Sequence, residues 1–276
     1  MKKSSRRSRS STRWTDGPLP RLQLFEFNDA PWAPAALRET LVEALSYTLR
    51  WGHMLDGLVA PLARCLQSAG TAKILDLCSG AGAPADVLCT AMIKRGHDVN
   101  FLMSDLFPAI DRWEQLTAAN RRLSFVREPV DATQIPSALG RGRVRVIINA
   151  LHHFPPNVAR EVLRGACHDA PGVFIAEGLV RNPLSFAAMA PVGLLALLAS
   201  PALANDRLLE RAALTWLSPV ALAASVWDGT VSSMRTYLPD ELREMTANLD
   251  GWTWTSGEYS HSRGLGSGSW FSGTRS

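Results

Sequence analysis

Cysteine is scarce in this chain. Four residues in 276, Cys65, Cys78, Cys89 and Cys167, stand far apart and form no Cys-x-x-Cys pair. That usage supplies neither a disulfide frame nor a zinc site, so no metal is expected and the thiols read as reduced in a cytosolic protein. Acid is missing from the first thirteen residues, which hold Lys2, Lys3, Arg6, Arg7, Arg9 and Arg13. Removing those six from the 29 Lys and Arg leaves 23 against 25 acids, so the net charge of +4 belongs to the tail and the body is close to neutral. From Lys2 to Arg13 there is no apolar residue, and residues 1–18 are expected to be a disordered basic tail. The Arg6-Arg7 pair is followed by no apolar run, which argues against an export signal. A merely solvated tail is the preferred reading, with weak contact to nucleic acid or an anionic lipid left open.

Charge is also absent from Asn182 to Asn205 and again from Ala212 to Trp227, in a chain otherwise 20% charged. A run of that length raises the question of a membrane span. Pro183, Pro191 and Pro201 divide it, however, and no second, cleaner span accompanies it. No integral membrane segment is expected. An apolar helical lid over residues 183–235 is one reading and a plain helical hairpin is the other.

The remaining chain is long enough to bury a sizeable core, as one large domain or one domain with an elaboration. Residues 19–70 read as a helical N-terminal cap. Leu22–Phe27 is a short strand or an apolar clasp, and Leu37, Leu41, Leu45 and Leu49 recur at every fourth position of a helix. A second helix, broken or kinked at Pro61, covers Met54 to Gln67. Residues 71–276 then alternate strands with helices, which predicts a parallel sheet covered on both faces. The strands are Ile74–Leu77, Val99–Ser104, Leu123–Val126, Val144–Asn149 and Val173–Ala176, and two more, at Trp252 and Gly268, close the chain around a glycine-rich loop. Ligands of such sheets bind beyond the strands' carboxyl ends. Asp76, Asp105, Asp131 and Asn149 all fall there.

The organising stretch is Lys73-Ile-Leu-Asp-Leu-Cys-Ser-Gly-Ala-Gly-Ala-Pro84, a strand that ends on an acid and breaks into a small-residue turn before a helix. Such a turn points backbone N–H groups at a ligand with no Cβ in the way. A dinucleotide fingerprint fits Gly80, Gly82 and Ala85, but its strand would run straight into the first glycine, whereas Leu77-Cys78-Ser79 intervenes here after Asp76. The stretch resembles instead the first motif of the class I S-adenosylmethionine-dependent methyltransferases, an acid followed by Gly-x-Gly-x-Gly. Asp76 takes the place of the acid, with Cys78, Gly80 and Gly82 at the glycine places, Cys78 being a departure. Leu24–Trp32 and Trp227–Tyr237 resemble a bacterial, small-molecule subgroup of that class, and the likeness runs from Leu22 to the C-terminus.

The resemblance implies an α/β fold with a Rossmann-like seven-stranded sheet and S-adenosylmethionine as cofactor. Asp105 suits the ribose diol, since one carboxylate can accept from both hydroxyls. Asp131 resembles the acid that accepts from the adenine amino group, and Asp76 would meet the amino-acid end. Ser79, Leu106, Ala132 and Asn149 complete the implied cofactor contacts. After the fourth strand the chain reads Asn149-Ala-Leu-His-His-Phe, not the Asn/Asp-Pro-Pro-aromatic tetrad of nucleobase and glutamine amino-methyltransferases. His152 or His153 is the candidate base, because neutral imidazole is available near pH 7. Trp32, Trp227, Arg235 and Tyr237 combine apolar surface with hydrogen-bonding ends and are candidate substrate contacts. The expected activity is methyl transfer to oxygen or nitrogen of a small, apolar or aromatic metabolite. A nucleic-acid methyltransferase steered by the tail, a non-catalytic cofactor-fold partner and an NAD-dependent oxidoreductase are the rivals. Acceptor identity and oligomeric state are not legible.

Overall fold

A computed structural model describes residues 19–262 and 266–275. The expectations for the basic tail, residues 1–18, and for the tip of the terminal glycine-rich loop therefore lie outside the described residues.

Seven strands form one sheet in the order β3-β2-β1-β4-β5-β7-β6. They are β1 (Lys73–Leu77), β2 (Asn100–Ser104), β3 (Leu123–Phe125), β4 (Val144–Ile148), β5 (Gly172–Glu177), β6 (Trp252–Ser260) and β7 (Ser267–Arg275). The first five are parallel, and β7 runs antiparallel between β5 and β6. The order reverses beside β1, which pairs with β2 on one side and β4 on the other. A crevice opens at such a reversal, beyond the strands' carboxyl ends. Strands β4 and β5 are buried at every position, which is why their sequence is largely apolar, broken only by the buried Arg145 and by Glu177 at the end of β5.

Among the described residues ten α-helices accompany the sheet: α1 (Ala35–Trp51), α2 (Val59–Ser68), α3 (Ala83–Lys94), α4 (Ile110–Ala119), α5 (Ser137–Gly140), α6 (Pro156–Cys167), α7 (Ala190–Leu203), α8 (Leu208–Ala212), α9 (Val220–Arg235) and α10 (Pro239–Thr246). One core lies under α2 and α3, centred on Leu62, Ile74, Leu88 and Val146, and a second lies under α6 and α10, centred on Leu75, Ile147, Leu163 and Ile175. A third, smaller cluster of Leu37, Leu41, Ala44, Leu197, Ala221 and Ala224 joins α1 to α7 and α9. The N-terminal helix and the uncharged helices thus pack on one another.

Two local expectations need correction, and a third, the strand or apolar clasp at 22–27, is decided between its alternatives. Pro61 does not break its helix; it is buried in the first turn of α2, where its missing N–H would have had no intrahelical partner. Pro201 does not end α7 either. It stands in the last turn, and the Leu197 carbonyl that its ring leaves without a backbone donor accepts from Ser200 Oγ at 2.9 Å. Leu22–Phe27 forms no strand. It runs beside α9, tied by Leu22 N–H to Met234 O at 3.1 Å, while the Asp228 carboxylate accepts from the N–H groups of Phe27 and Asn28 at 2.7 and 3.1 Å. A side chain takes the donors that a neighbouring strand would have taken.

Candidate active site

The turn after β1 is built around three residues of positive φ and a buried acid. Cys78 has φ +58°, so the residue standing at a glycine place adopts the conformation that glycine adopts most readily. Gly80, at φ +52°, has nothing within 4 Å of where a Cβ would lie. Gly82, at φ +81°, is the opposite case: a Cβ there would lie 2.7 Å from Leu116 and 3.0 Å from Trp113. Gly80 therefore keeps a space open, and Gly82 lets α4 approach.

Asp76 is buried and accepts from Ser79 Oγ at 2.6 Å. Burial, only partly offset by that hydrogen bond and reinforced by nearby Asp105, pushes its carboxyl up to about 7. The Cys78 thiol is pushed up as well, by burial and then by the acids around it, so it is no nucleophile. Asp105, at the end of β2, accepts from Gly80 N–H at 2.8 Å through one oxygen and from Phe107 N–H at 2.9 Å through the other. The second strand's acid is thereby fixed against the glycine turn. Leu106 stands beside it, 48% exposed, and Ala132 is buried next to Asp131, whose carboxylate accepts from Thr133 N–H and Oγ. Asn149, left-handed at φ +55°, accepts from Gly178 N–H at 2.6 Å.

A cavity of about 120 Å³ lies beyond the ends of β4 and β5, with Asn149, Glu177, His152 and His153 in its wall. Helix α1 supplies Leu41, Leu45 and Leu49 to it, and α9 supplies Ser225, Gly229 and Ser232. Phe186 packs so closely on Gly229 that a Cβ there would overlap its ring. Each histidine is paired with a carboxylate. His152, buried, places Nδ1 2.7 Å from Glu177 Oε2, and its own backbone N–H donates to Glu177 Oε1 at 3.1 Å. His153 places Nδ1 2.6 Å from Asp29 Oδ2, and its ring centroid is 4.2 Å from that of His152. In each pair Nδ1 is engaged and Nε2 is left for other chemistry.

Arg235 ties the acids together, donating to Glu26 Oε1 at 2.8 Å and to Asp29 Oδ2 at 3.3 Å. Burial acts to raise Asp29, but the hydrogen bond and charge of His153 and the charge of Arg235 outweigh it and hold the carboxyl low. Burial prevails at Glu26 and at Asp228, whose carboxyls are both raised. Glu26 Oε2 is buried with no hydrogen-bond partner. Glu26, His152 and His153 each bring one ligand atom within 4.8 Å of the others, a set that could hold a metal ion. The guanidinium of Arg235 already supplies the positive charge there.

The residues singled out in the sequence divide into three groups. Asp76, Cys78, Ser79, Gly80, Gly82, Asp105 and Leu106 surround the β1 turn, with Asp131 and its neighbour Ala132 on the same side, and Asn149, His152 and His153 reach the cavity. Trp32, Trp227, Arg235 and Tyr237 do not line it. Trp32 is 67% exposed and packs against Phe25 and Phe27, and Trp227 donates its indole N–H to Phe25 O. Tyr237 is buried in the second core with its hydroxyl on Phe154 O at 2.7 Å, and Arg235 acts through the acids it binds. The cavity's carboxylates were missed. Glu177 stands one residue past the predicted fifth strand, where the strand-end rule that found Asp76 and Asp105 would have found it. Glu26 and Asp228, with Asp29 beside the cavity on His153, lie inside the two stretches that carry the subgroup resemblance, next to the aromatics.

No family model matches the chain, and no curated protein sequence matches it. Solved structures do. The plantazolicin methyltransferase BpumL in complex with SAH aligns over 87% of this chain and 98% of its own, at 10% identity and a TM-score of 0.50. The fold is that of a class I methyltransferase. Magnesium protoporphyrin IX methyltransferase ChlM from Synechocystis PCC 6803, with bound SAH, aligns over 83% and 85% at 13% identity and a TM-score of 0.47. The O-methyltransferase NcsB1 from neocarzinostatin biosynthesis, in complex with SAH and 1,4-dihydroxy-2-naphthoic acid, aligns over 86% of this chain and 59% of its own at 16% identity and a TM-score of 0.47.

Proposed function

We propose that this chain transfers a methyl group from S-adenosylmethionine to an oxygen or nitrogen atom of a small, largely apolar metabolite. One observation carries the reading: the cradle at Gly80 and Asp105 and a cavity walled by two histidines, each paired with a carboxylate, lie at the same end of one sheet, with Asn149 at the end of β4 between them. The open space at Gly80 fits a ligand laid across the turn. Asp105 would hold a ribose diol, Leu106 and Ala132 a purine face with Asp131 at its edge, and Asp76 with Ser79 an amino-acid end. The cofactor supplies an electrophilic methyl group, and the protein's task is to position the acceptor and take its proton.

His153 is the group assigned to that proton. It is less buried than His152, and its partner Asp29 is half-exposed, so a proton taken from an acceptor has a route to water. His152, clamped at two points by Glu177, is a positioning residue. Orientation of this kind contributes about 7–11 kcal/mol in well-aligned systems, and a base adds about 10²–10⁴-fold. The cavity is below the roughly 300 Å³ at which pockets hold drug-sized ligands, which favours a small acceptor.

S-adenosylhomocysteine is expected to raise the melting temperature and NAD to leave it unchanged. Asp105→Ala should weaken that binding by about 10–100-fold, the equivalent of roughly 1.5–3 kcal/mol for a charged acceptor lost from its donors. A melting shift with NAD and none with S-adenosylhomocysteine refutes the proposal. With an accepted substrate, His153→Gln should lower turnover and leave S-adenosylhomocysteine affinity intact; unchanged turnover removes His153 as the base.

A further inference from the structure

Helix α7 and the turn before it form the one helical run among the described residues that is long and apolar enough to cross a membrane, Ser185–Leu203, and only 28% of it is buried. The buried stripe, Ala196, Leu197, Ser200 and Pro201, packs toward α1. The outward stripe includes Pro191, Leu194, Leu195, Leu198 and Leu203, with no polar side chain among its exposed positions. Helix α9 repeats the arrangement. Its inner residues Ala221 and Ala224 are buried, while Val220, Leu222, Val226 and Trp227 are 38–49% exposed. Helices on a water-facing surface normally carry charge on that side. Here two adjoining helices carry none.

We propose that this face lies on an anionic lipid bilayer, as a surface attachment and not as a span. Spanning would require α7 to leave α1, and the fold opposes that at both ends of the contact. Leu197 is 2% exposed in the α1 cluster. Just beyond α7, Arg211 is buried and binds Glu43 of α1 at 2.5 Å, Glu39 of α1 at 3.1 Å and Asp206 at 2.8 Å. Three features single out lipid as the occupant. Protein interfaces carry about one hydrogen bond per 100–200 Å², and the outward stripe of α7 offers no side-chain donor or acceptor. The indoles at its margin are already satisfied internally, Trp216 on Leu198 O at 2.9 Å and Trp227 on Phe25 O at 3.0 Å, so their exposed rings need no water, as suits the headgroup boundary.

The third feature is charge. Residues 19–25 run along α9, hydrogen-bonded at Leu22 to Met234, and expose Leu19, Leu22, Leu24 and Phe25. The segment that enters this strip from outside the described residues is the basic one, with six Lys and Arg and no acid in its first thirteen positions. A polybasic segment joined to an apolar face is the pair of signals that holds a protein on an anionic surface. The proposal stands apart from the methyl-transfer reading.

The test is co-sedimentation of the full, ligand-free chain with phosphatidylcholine vesicles containing about 30% phosphatidylglycerol, and with phosphatidylcholine alone. Binding to the anionic vesicles, at least about tenfold weaker to the neutral ones, is expected. Deleting residues 1–18 should weaken it to a similar degree. The double variant Leu195→Glu/Leu222→Glu should abolish it with the melting temperature unchanged, since Leu195 is 60% and Leu222 45% exposed. Failure of the intact chain to sediment overturns the proposal. So does undiminished binding by the double variant, which would mean that the tail adheres alone. A soluble dimer that the same substitutions dissociate, with no vesicle binding, would assign the face to a second copy of the chain and equally overturn it.

Discussion

Asp76 shows how a single residue can be placed against its own stability. Its carboxyl is held at about 7 by burial, whereas the same group in an unfolded chain titrates near 3.8. Between those values the folded state keeps a proton that the unfolded state gives up. Stability therefore falls as pH rises from about 4 to about 7 and levels off above. Asp76→Asn removes that slope, and Ser79 Oγ can still donate to the amide oxygen. The ligand-free variant is expected to melt higher than the wild type at pH 7.5, with the margin shrinking toward pH 4. A variant less stable at pH 7.5, by an amount independent of pH, would show that Asp76 is ionised and satisfied in the folded protein. The same variant should bind S-adenosylhomocysteine less well, which is the reason to retain a costly acid there. This residue, with Asp105 and the glycines, was legible because each occupies a fixed place relative to a strand end. Glu26 and Asp29 were not. Their partner Arg235 lies more than 200 positions away, and nothing local marks the pairing.

At the scale of elements, periodicity carries far but drifts. Leu37, Leu41 and Leu49 of α1 are buried as their spacing predicts, while Leu45 is 42% exposed and lines the cavity. A four-residue step overshoots one 3.6-residue turn by about 40°, so the repeat winds from one core to another: Leu37 and Leu41 join the cluster with α7 and α9, Leu49 joins the core under α2 and α3, and Leu45 faces the space between. Helix α7 has no such stripe to read, being apolar on all sides; only the packing on α1 separates its inner from its outer face. Two neighbouring leucines therefore make a test. Leu197→Asp buries a carboxylate among Leu37, Leu41 and Ala221 and should lower stability by several kcal/mol or prevent folding. Leu194→Asp, at a position 45% exposed, should change it by less than about 0.5 kcal/mol. Urea unfolding of the two variants decides the matter. Equal losses would mean that α7 is rotated from the orientation described, and equal tolerance would mean that it does not pack on α1.

Across the whole molecule, the sheet brings five strand ends to one edge, and two distant segments complete the cavity there. The N-terminal stretch contributes Glu26 and Asn28 to its wall, and α9 contributes Asp228 and ends on Arg235, which binds Glu26 and Asp29. Arg235 is the junction, since it binds both N-terminal acids while Asp228 captures the backbone between them. Removing it leaves Glu26, 1% exposed, as a buried acid whose remaining ionic neighbour is His153, with Nδ1 3.9 Å from Oε2. Breaking a buried pair from one side costs about 3–5 kcal/mol, whereas neutralising both sides often costs little. Arg235→Met should therefore lose several kcal/mol in urea unfolding at pH 7. Because burial already raises Glu26, the loss should shrink as pH falls and that carboxyl takes up a proton. Glu26→Gln added to Arg235→Met should then recover more than half of the loss, the coupling read from the double-mutant cycle. If the double variant is no more stable than Arg235→Met alone, the guanidinium acts through Asp29 or through packing, and Glu26 is not what holds the N-terminal segment over the cavity.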